Sequence, residues 1–404
     1  MAALKHDRLA RNLARLSKDR GNEWVYEHLE EHLAKGDLKP EDFSLRDLAE
    51  ELIPDGREVV ASWGPKRGGG FTALQEDAQA VTTGHFANIT GQVMYSKIMD
   101  AYANEEFVFT AVIPTQPTQL SGEKIPGISQ LGDNAQVVGE AQNYPRAGVI
   151  EDWIETPSTT KRGEIVEVTK EAVFFDRTNV LLARCGAVGN ALGINKEKRA
   201  IDCIVDENTT AHRYRWRGQA AMATYNDNTG SHTFDNLAAS NGLVDWTDID
   251  GAELLFAAMT DPNTGEPIMV MADTIIACPE LDASVFRVLN ATMIALSVGG
   301  FATSGNLSRT DAANPVGASR PFTARYRPLT SRLLPTRMAT DTSWFLGSPS
   351  RAFAYMENWP ITVVQQGAGS EDEFNRDIVF KVKASERGAY ATVEPRLMVK
   401  STVA

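Results

Sequence analysis

The chain has 404 residues, of which 43% are apolar and 23% are charged. This balance is typical of a globular protein and excludes a disordered, collagen-like or fibrous chain. The 40 Lys and Arg residues are outnumbered by 53 Asp and Glu residues, which gives a formal net charge of −13. Because proteins that hold nucleic acid usually carry a basic surplus, this charge disfavours sequence-specific DNA binding.

The three cysteines, Cys185, Cys203 and Cys278, lie far apart in the chain and form no CxxC pair. Their spacing indicates neither a zinc ribbon nor a disulfide framework, so we expect reduced thiols. No apolar run reaches the roughly 18 residues that a membrane-spanning helix requires. Residues 1–20 lack the apolar segment of a secretory signal.

The first 55 or so residues are predicted to form a distinct helical unit. Apolar residues recur there at helical spacing in three stretches, and Ser44 with Asp47 has the pattern of a capping box before the third. The three stripes are Leu9, Leu13 and Leu16; Val25, Leu29 and Leu33; and Leu45, Leu48 and Leu52. Each stripe needs a partner surface, which is either the body of this chain or another copy of it.

Residues 115–160 are rich in Gly, Pro, Gln and Asn and contain few aliphatic residues. Loops of this length are uncommon in compact domains unless they are functional or disordered. Scattered apolar residues nevertheless occur along the stretch, namely Ile125, Ile128, Val137, Val138, Tyr144, Val149, Ile150 and Trp153. We therefore predict an extended β-excursion that packs on something outside its own domain, with a plain flexible loop as the alternative.

The strongest helix pattern in the chain begins at Asp176 or Thr178. Apolar residues at i, i+4, i+7 and i+11 predict a helix that continues to about Asp206, near 28 residues or about 40 Å long. Gly186, Gly189 and Gly193 lie inside this helix, although each costs about 1 kcal/mol relative to Ala there. We expect a neighbouring element to approach the backbone closely at these glycines.

Residues 210–241 are polar and are predicted to form a loop insertion that contains an Arg and aromatic run over residues 212–217. Such a run could stack on nucleic-acid bases and touch phosphate. Tyr, Trp and Arg are also the residues enriched at protein interfaces. We favour the second interpretation and keep nucleic acid as the alternative.

Residues 247–289 follow the order helix, strand, helix, which indicates an α/β layer. Thr247 and Asp250 have the pattern of a capping box, and they predict a helix that begins there. The apolar stretch 268–277 predicts a buried strand, and residues 281–289 predict a second helix.

The C-terminal stretch is predicted to be all strand. Residues 378–385 alternate between apolar and polar, and residues 390–394 alternate again. Arg387 and Gly388 lie between the two stretches and predict a turn, hence a hairpin with one solvated face.

One motif suggests metal chemistry, namely His28, Glu31 and His32 in the spacing H-x-x-E-H. This is the inverted zinc-protease pattern, and both histidines would share one helix face. The motif is short, lies in a highly charged helix and has no evident third ligand, so a solvated helix face is the favoured interpretation. We find no other catalytic constellation, and the long excursion with amphipathic terminal helices is the profile of a self-assembling protein.

In its order of elements, from about residue 111 to 399, the chain resembles the major capsid proteins of tailed bacteriophages. The most specific stretch is residues 373–395, where that family commonly has an Arg-Asp-x-Val strand, an Arg-Gly turn and a final strand ending at Pro. The matching residues are Phe374, Arg376, Asp377, Val379, Arg387, Gly388 and Pro395. Residues 246–279 are similar to the opening of the family's central domain.

The resemblance implies an α+β capsid fold with an N-terminal helical arm, an extended β-loop, a peripheral domain with a long spine helix and an α/β axial domain. The implied boundaries are residues 1–60 for the arm, 61–112 for a connector, 113–163 for the loop, 164–245 for the peripheral domain, 246–356 for the axial domain and 357–404 for the returning strands. Residues 1–55 are either a retained arm or a segment that a protease removes.

The resemblance also implies a function in the virion, without enzymatic activity or cofactor. Copies would assemble in the host cytoplasm into hexamers and pentamers of an icosahedral shell around double-stranded DNA, with scaffold, portal and decoration proteins as further partners. The candidate subunit-interface residues are Lys124, Tyr144, Arg146, Trp153, Arg215, Trp216 and Arg217. The alternatives are an encapsulin-like cellular shell, which shares the fold, and a zinc hydrolase that uses His28, Glu31 and His32.

We expect residues 115–160 to be ordered only in the assembly, where Trp153 would pack on a neighbour. Some members of the family cross-link a loop lysine to an asparagine of the neighbouring subunit. Lys124 is the conceivable donor here, but no acceptor aligns, so we assign no catalytic residue.

Overall fold

The structure is a computed structural model of the chain. It describes residues 9–35, 37–52, 57, 60, 76–103, 107–126, 137–140, 142–143, 153–175, 177–227, 234–261, 265–290, 293–297, 309–313, 325–366 and 375–403. Within these ranges helices and strands both occur, as the predicted α+β fold class requires, and no helix is long and apolar enough to cross a membrane.

The chain forms two compact units, each assembled from three separate segments. Unit 1 consists of Met1–Glu105, Lys161–Asn195 and Trp359–Arg387. Unit 2 consists of Glu106–Thr160, Lys196–Asn358 and Gly388–Ala404. This division differs in kind from the six consecutive parts suggested by the sequence, which remain a prediction.

Unit 1 is built mainly from helices. They are α1 (Leu9–Arg20), α2 (Asn22–Ala34), α3 (Leu45–Leu52), α4 (Glu76–Tyr102), α6 (Lys170–Phe174) and the first part of α7 (Thr178–Val205). Strand β4 (Thr160–Thr169) and parts of β12 (Phe353–Gln366) and β13 (Ile378–Thr392) complete the unit. In the sheet that contains them, β13 lies between β12 and β4.

The three predicted stripes, called the leucine stripes below, pack in unit 1, where eight of their nine residues are buried and Leu16 is partly buried. They join one apolar cluster with residues of α4, β4, α7 and β13, so the body of this chain supplies their partner surface. Fully burying one such side chain contributes about 1.5–3 kcal/mol. At the start of α3 the Asp47 amide donates a hydrogen bond to Ser44 Oγ at 3.2 Å, as the capping pattern predicts. The Leu45 amide donates to Thr178 Oγ1 at 2.9 Å, which ties α3 to the start of α7.

Helix α7 confirms the predicted long helix at Thr178–Val205, 28 residues. The expected close approach occurs at Gly189, where an added Cβ would lie 2.3 Å from the Ile98 carbonyl oxygen of α4. At Gly186 the nearest atom to such a Cβ is Lys97 Cε, at an ordinary 3.7 Å. The cost of a glycine inside the helix is therefore offset at position 189, where only glycine permits the close contact between α7 and α4.

Unit 2 is centred on a five-stranded sheet in the order β10-β7-β11-β14-β6. Strand β11 runs antiparallel to β7 and β14, while β10 and β6 run parallel to their neighbours. The strands are β6 (Leu237–Ala238), β7 (Thr274–Ala277), β10 (Arg327–Leu329), β11 (Trp344–Gly347) and β14 (Met398–Ser401). The other elements of unit 2 are α5 (Val108–Val112), β1 (Thr115–Pro117), β2 (Lys124–Pro126), β3 (Trp153–Glu155), β5 (Arg215–Trp216), α8 (Trp246–Ala257), α9 (Asp282–Asn290), β8 (Met293–Ser297), β9 (Arg309–Ala313) and α10 (Pro349–Ala352).

Alternating residues of this sheet belong to two different cores. Ile275, Trp344 and Leu346 pack with α8 and α9, whereas Ile276 and Phe345 pack with the last turns of α7. Because neighbouring strand residues point to opposite faces, the sheet is covered on both sides. The predicted α/β layer is confirmed.

Three local predictions in the C-terminal half are wrong. The helix cap lies at Asp245 rather than Thr247, because Asp245 accepts from the Thr247 amide at 2.8 Å and Asp248 accepts from the Asp245 amide at 2.9 Å. The strand predicted from residue 268 begins only at Thr274, and Met269 and Met271 before it are 93% and 70% exposed. Only the last four residues of the apolar stretch 268–277 form the buried strand.

The third error is the predicted C-terminal hairpin. Strand β13 runs without interruption from Ile378 to Thr392, so Arg387 and Gly388 do not turn the chain. A Cβ on Gly388 would lie 2.4 Å from the Tyr355 hydroxyl and 2.9 Å from the Met356 carbonyl oxygen. Glycine inside a strand often marks such a close approach by a neighbour.

Candidate subunit-interface surface

Strands β2, β3 and β5 form a small antiparallel sheet in unit 2. Lys124 lies opposite Glu155, and Glu155 lies opposite Arg215, so the three charged residues form a row across the sheet. This pairing brings Lys124, Trp153, Arg215, Trp216 and Arg217 together, although they come from three distant stretches of sequence. The other two predicted interface residues, Tyr144 and Arg146, lie outside the described residues.

The two faces of this sheet differ in chemistry. Ile154 and Trp216 pair with each other and pack with Tyr214 and Met222 in a small apolar cluster. The opposite face, called the basic face below, carries Lys124, Trp153, Glu155 and Arg215. Trp216 therefore belongs to the packed side of the sheet, and the Arg217 guanidinium lies against its ring. Lys124, Trp153 and Arg215 lie on the basic face.

The groups of the basic face are held by direct contacts. Lys124 Nζ lies 3.9 Å from the centre of the Trp153 ring and 3.8 Å from Glu155 Oε1. Beyond the end of β5, the Arg217 guanidinium lies 4.6 Å from the centre of the Trp216 ring, and the Arg217 amide donates to the Trp153 carbonyl oxygen at 3.1 Å. An exposed cation over an aromatic face gains about 0.5–1 kcal/mol. The aromatic ring and its cation are thus presented together.

The turn after β5 requires unusual backbone geometry. Arg217 has φ of 49° and Gly218 has φ of 73°, and both angles are in the left-handed region. A Cβ at Gly218 would also meet the Trp153 ring at 3.3 Å. Glycine is therefore suited to this position on both conformational and steric grounds.

The segment before β5 is anchored by the buried carboxylate of Asp206, at the end of α7. Asp206 accepts from His212 Nε2 and Arg213 Nε at 2.8 Å and from the Thr224 amide at 2.7 Å. Burial alone would raise the pKa of Asp206, but these hydrogen bonds together hold its pKa below the usual value of 3.8. The charged cluster fixes the chain immediately before Arg215.

Glu155 is a member of the basic face that the sequence analysis missed. It lies two residues after Trp153, and alternate residues of a strand share a face. That spacing is the signal that could have identified it. The register with Lys124 and Arg215 could not be read from the sequence, because nothing in it specifies which short strands pair.

The alternative zinc motif shows ordinary helix-surface contacts. The His28 ring stacks on Trp24 with 4.3 Å between ring centres, and His32 Nδ1 lies 3.1 Å from Asp37 Oδ2. Glu31 forms an ion pair with Lys35, and its hydrogen bond lowers the pKa of Glu31. Among the described residues, no group of three or more His, Cys, Asp and Glu side chains is arranged to hold a metal ion.

The three cysteines are free and buried. Burial raises the pKa of the Cys185 thiol to about 11, and burial likewise raises the pKa of Cys278 to about 11. Thiols with such raised pKa values hold little thiolate at neutral pH, which makes them poor nucleophiles.

Comparison with known proteins identifies the family. A family model described as phage capsid protein matches residues 154–401, which is more than half of the chain. No curated protein sequence matches the chain significantly.

Among solved structures, the chain is similar to a Gordonia phage Cozz chain with 14% identity and a TM-score of 0.43, covering 75% of this chain and 88% of that chain. A capsid of a native GTA particle matches with 10% identity and a TM-score of 0.44, and the match covers 74% of this chain and 91% of that chain. A virus-like particle from Pyrococcus furiosus matches with 12% identity and a TM-score of 0.38, and the match covers 76% of this chain and 96% of that chain. On the strength of the family match across residues 154–401, the chain belongs to the phage capsid protein family.

Proposed function

We propose that this chain is the major capsid protein of a tailed bacteriophage, whose copies form the hexamers and pentamers of an icosahedral shell around double-stranded DNA. The observation that carries the proposal is the family match over residues 154–401, which includes every strand of the five-stranded sheet and excludes helices α1–α4. The role is structural rather than enzymatic. The shell would assemble in the host cytoplasm and form part of the virion.

In this proposal residues 113–163 are the extended loop that reaches a neighbouring subunit. Helix α7 is the spine helix of the peripheral domain at residues 164–245, residues 246–356 form the axial domain, and residues 357–404 return to the peripheral domain. Residues 1–60 are an arm that stays in the shell. The burial of α1–α3 in the core of unit 1 supports retention, because cleavage and loss of these helices would expose that core.

The basic face is the proposed contact with another copy. It combines the Trp153 ring with Lys124, Arg215 and Glu155, and Trp and Arg are residue types enriched at protein interfaces. The chain's net charge of −13 means that other copies offer abundant acidic surface. The same negative charge suits a shell that confines DNA without sequence-specific contacts. Scaffold, portal and decoration proteins are the further partners in this proposal.

The test of self-assembly is to express the chain alone and measure particle size by light scattering and negative-stain microscopy. We expect closed particles tens of nanometres across or capsomer-sized rings. A chain that stays a 44.1 kDa monomer at every concentration, with or without the other head proteins, would contradict the proposal.

The contents of the particles test the second half of the proposal. Particles from infected cells are treated with nuclease, and the protected material is extracted. Protected double-stranded DNA is the expected result. Protein cargo without protected DNA would instead favour an encapsulin-like shell.

A further inference from the structure

The strands β4, β12 and β13 of unit 1 have one face toward the core and one face away from it. Val166, Val168, Val382 and Ala384 lie in the apolar cluster of unit 1. The residues that alternate with them therefore point outward. An ion pair agrees with this alternation, because Lys381 Nζ lies 3.2 Å from Glu167 Oε1 and both residues alternate with the core residues of their strands.

The outward residues of these strands combine lysines with apolar side chains. Thr362 Oγ1 donates to the Ser385 carbonyl oxygen at 3.1 Å, and Gly163 lies against Ser385 from the other side. Moving two residues along each strand from these contacts, toward the Lys381–Glu167 ion pair, places Lys383 between Val364 and Ile165. Val364 and Ile165 are 53% and 56% exposed. We call this surface the sheet face, and it consists of Lys161, Ile165, Glu167, Val364, Lys381 and Lys383.

A surface of opposite charge lies on α2 in the same unit. Glu23, Glu27 and Glu30 are exposed, and their spacing of four and three residues places them on one side of the helix. Val25, Leu29 and Leu33 point from the other side of α2 into the core. We call Glu23, Glu27 and Glu30 the acidic stripe.

We propose that the sheet face of one copy binds the acidic stripe of a second copy. Both surfaces point away from the core of the same unit, so they can meet only between copies. A contact that joins two different surfaces is heterologous, and it generates a ring when the rotation between neighbouring copies closes. The inference rests on the proposed function in that it names a contact within the capsomer ring, and it is separate from the basic face.

The composition of the sheet face favours a protein partner over packaged DNA. Ile165 and Val364 offer apolar area on either side of Lys383, and a phosphate backbone would leave that area uncovered. Glu167 lies among the lysines and would repel phosphate, whereas a helix with carboxylates and carbon stems can cover both kinds of group. The acidic stripe supplies a helix of this chemistry.

The experiment is a charge swap with two full-length variants. Lys383→Glu places a carboxylate in the sheet face, and Glu27→Lys places a lysine in the acidic stripe. When two copies of the same variant meet, the contact between sheet face and acidic stripe therefore brings like charges together. Pair association is measured by sedimentation velocity of fluorescently labelled chains. We expect each variant alone to associate at least tenfold more weakly than the wild type.

The mixture of the two variants is the decisive sample. Each variant's altered surface then meets an oppositely charged surface on the other, so association should return to within about threefold of the wild type. The chain with both substitutions should behave in the same way. Lys18→Glu carries the same charge change at an exposed position on α1 and should associate like the wild type.

Three results would overturn the inference. One is wild-type association of both single variants, and another is a mixture that associates no better than the weaker variant alone. The third is unchanged association with loss of packaged DNA only, which would assign the sheet face to nucleic acid. Shell closure by the wild type is recorded separately, so a failure of the proposed function is distinguished from a failure of this contact.

Discussion

The N-terminal helices and the excursion over residues 115–160, which contributes β2 and β3 to the small sheet with β5, are both predicted from sequence to need a partner surface. In the structure the helices find theirs within the chain, since their leucine stripes lie in the core of unit 1. On one face of the small sheet, Ile154 and Trp216 pack with Tyr214 and Met222. Its other face presents Lys124 on the Trp153 ring.

The difference follows from what each pattern contains. A stripe of leucines is uniform and non-directional, so any apolar surface of the right length can cover it. A cation on an aromatic ring is directional, and a neighbour must match its charge and shape. Amphipathic helices therefore do not by themselves indicate assembly, whereas an exposed combination of Lys, Arg and Trp is better evidence for it.

The largest effect is expected from Leu29→Ala in α2. Leu29 is fully buried in the cluster of unit 1, and its truncation should lower the free energy of unfolding by about 2–5 kcal/mol. Urea unfolding of the unassembled chain, followed by circular dichroism, measures the change. Leu254→Ala, at a side chain that is 63% exposed, should stay within about 0.5 kcal/mol. Equal effects of the two variants would show that α2 is not part of the core.

The second prediction concerns the anchor of β5. The lowered pKa of Asp206 means that its ionised form stabilises the folded state above pH 3.8, and that this stabilisation is lost as the pH falls through the folded-state pKa. Asp206→Asn should cost about 1–3 kcal/mol at neutral pH and should weaken the acid dependence of unfolding. Urea unfolding from pH 7 to pH 2 measures both. Asp100→Asn, at an exposed position, should leave the acid dependence unchanged.

The third prediction compares two glycines of α7. Gly189→Ala should cost about 1–3 kcal/mol, because the new methyl group would overlap the Ile98 carbonyl oxygen and force the helices apart. Gly186→Ala has room and should gain up to about 1 kcal/mol from helix propensity. Thermal unfolding of both variants gives the difference directly. A stabilising Gly189→Ala would disprove the close contact between α4 and α7.

The smallest effect on unfolding, and the most selective effect on assembly, is expected from Trp153→Ala. The ring is half-buried, so the free energy of unfolding should change by no more than about 1 kcal/mol, with unchanged circular dichroism. Loss of a central aromatic contact costs about 2 kcal/mol per interface, so shell yield should fall sharply. Phe175→Ala, which truncates an aromatic ring that is 62% exposed, serves as the control. Wild-type shell yield from Trp153→Ala would remove the basic face from the interface.

Sequence patterns predicted those parts of the fold that depend on local periodicity. The bounds of α7 and the three N-terminal stripes follow from residues three and four apart, which a helix necessarily places on one side. Lys124, Trp153 and Arg215 were predicted individually as interface residues. Their proximity depends on the pairing of strands that are only two and three residues long. Such pairings are set by tertiary contacts that no local pattern encodes.

Two of the three errors in the C-terminal half have a common cause. Gly388 and Met269 were interpreted from residue type alone, and each type fits two environments. Glycine suits a turn and also a strand with a close neighbour, and methionine suits a core and also an exposed surface. The neighbours that decide between them, Tyr355 in the case of Gly388, lie far away in the sequence.

The discontinuous construction of unit 1 has a consequence for synthesis on the ribosome. Helices α1–α3 emerge first, yet Val382 and Ala384, which belong to the same core, emerge near the end of translation. At 5–20 residues per second the interval is about 20–60 s, during which the leucine stripes lack part of their native cover. We expect ribosome-bound chains that end before residue 359 to be cleaved readily within α1–α3 by added protease, and full-length released chains to resist it. A nascent chain of this protein would therefore depend on chaperones before any second copy is present.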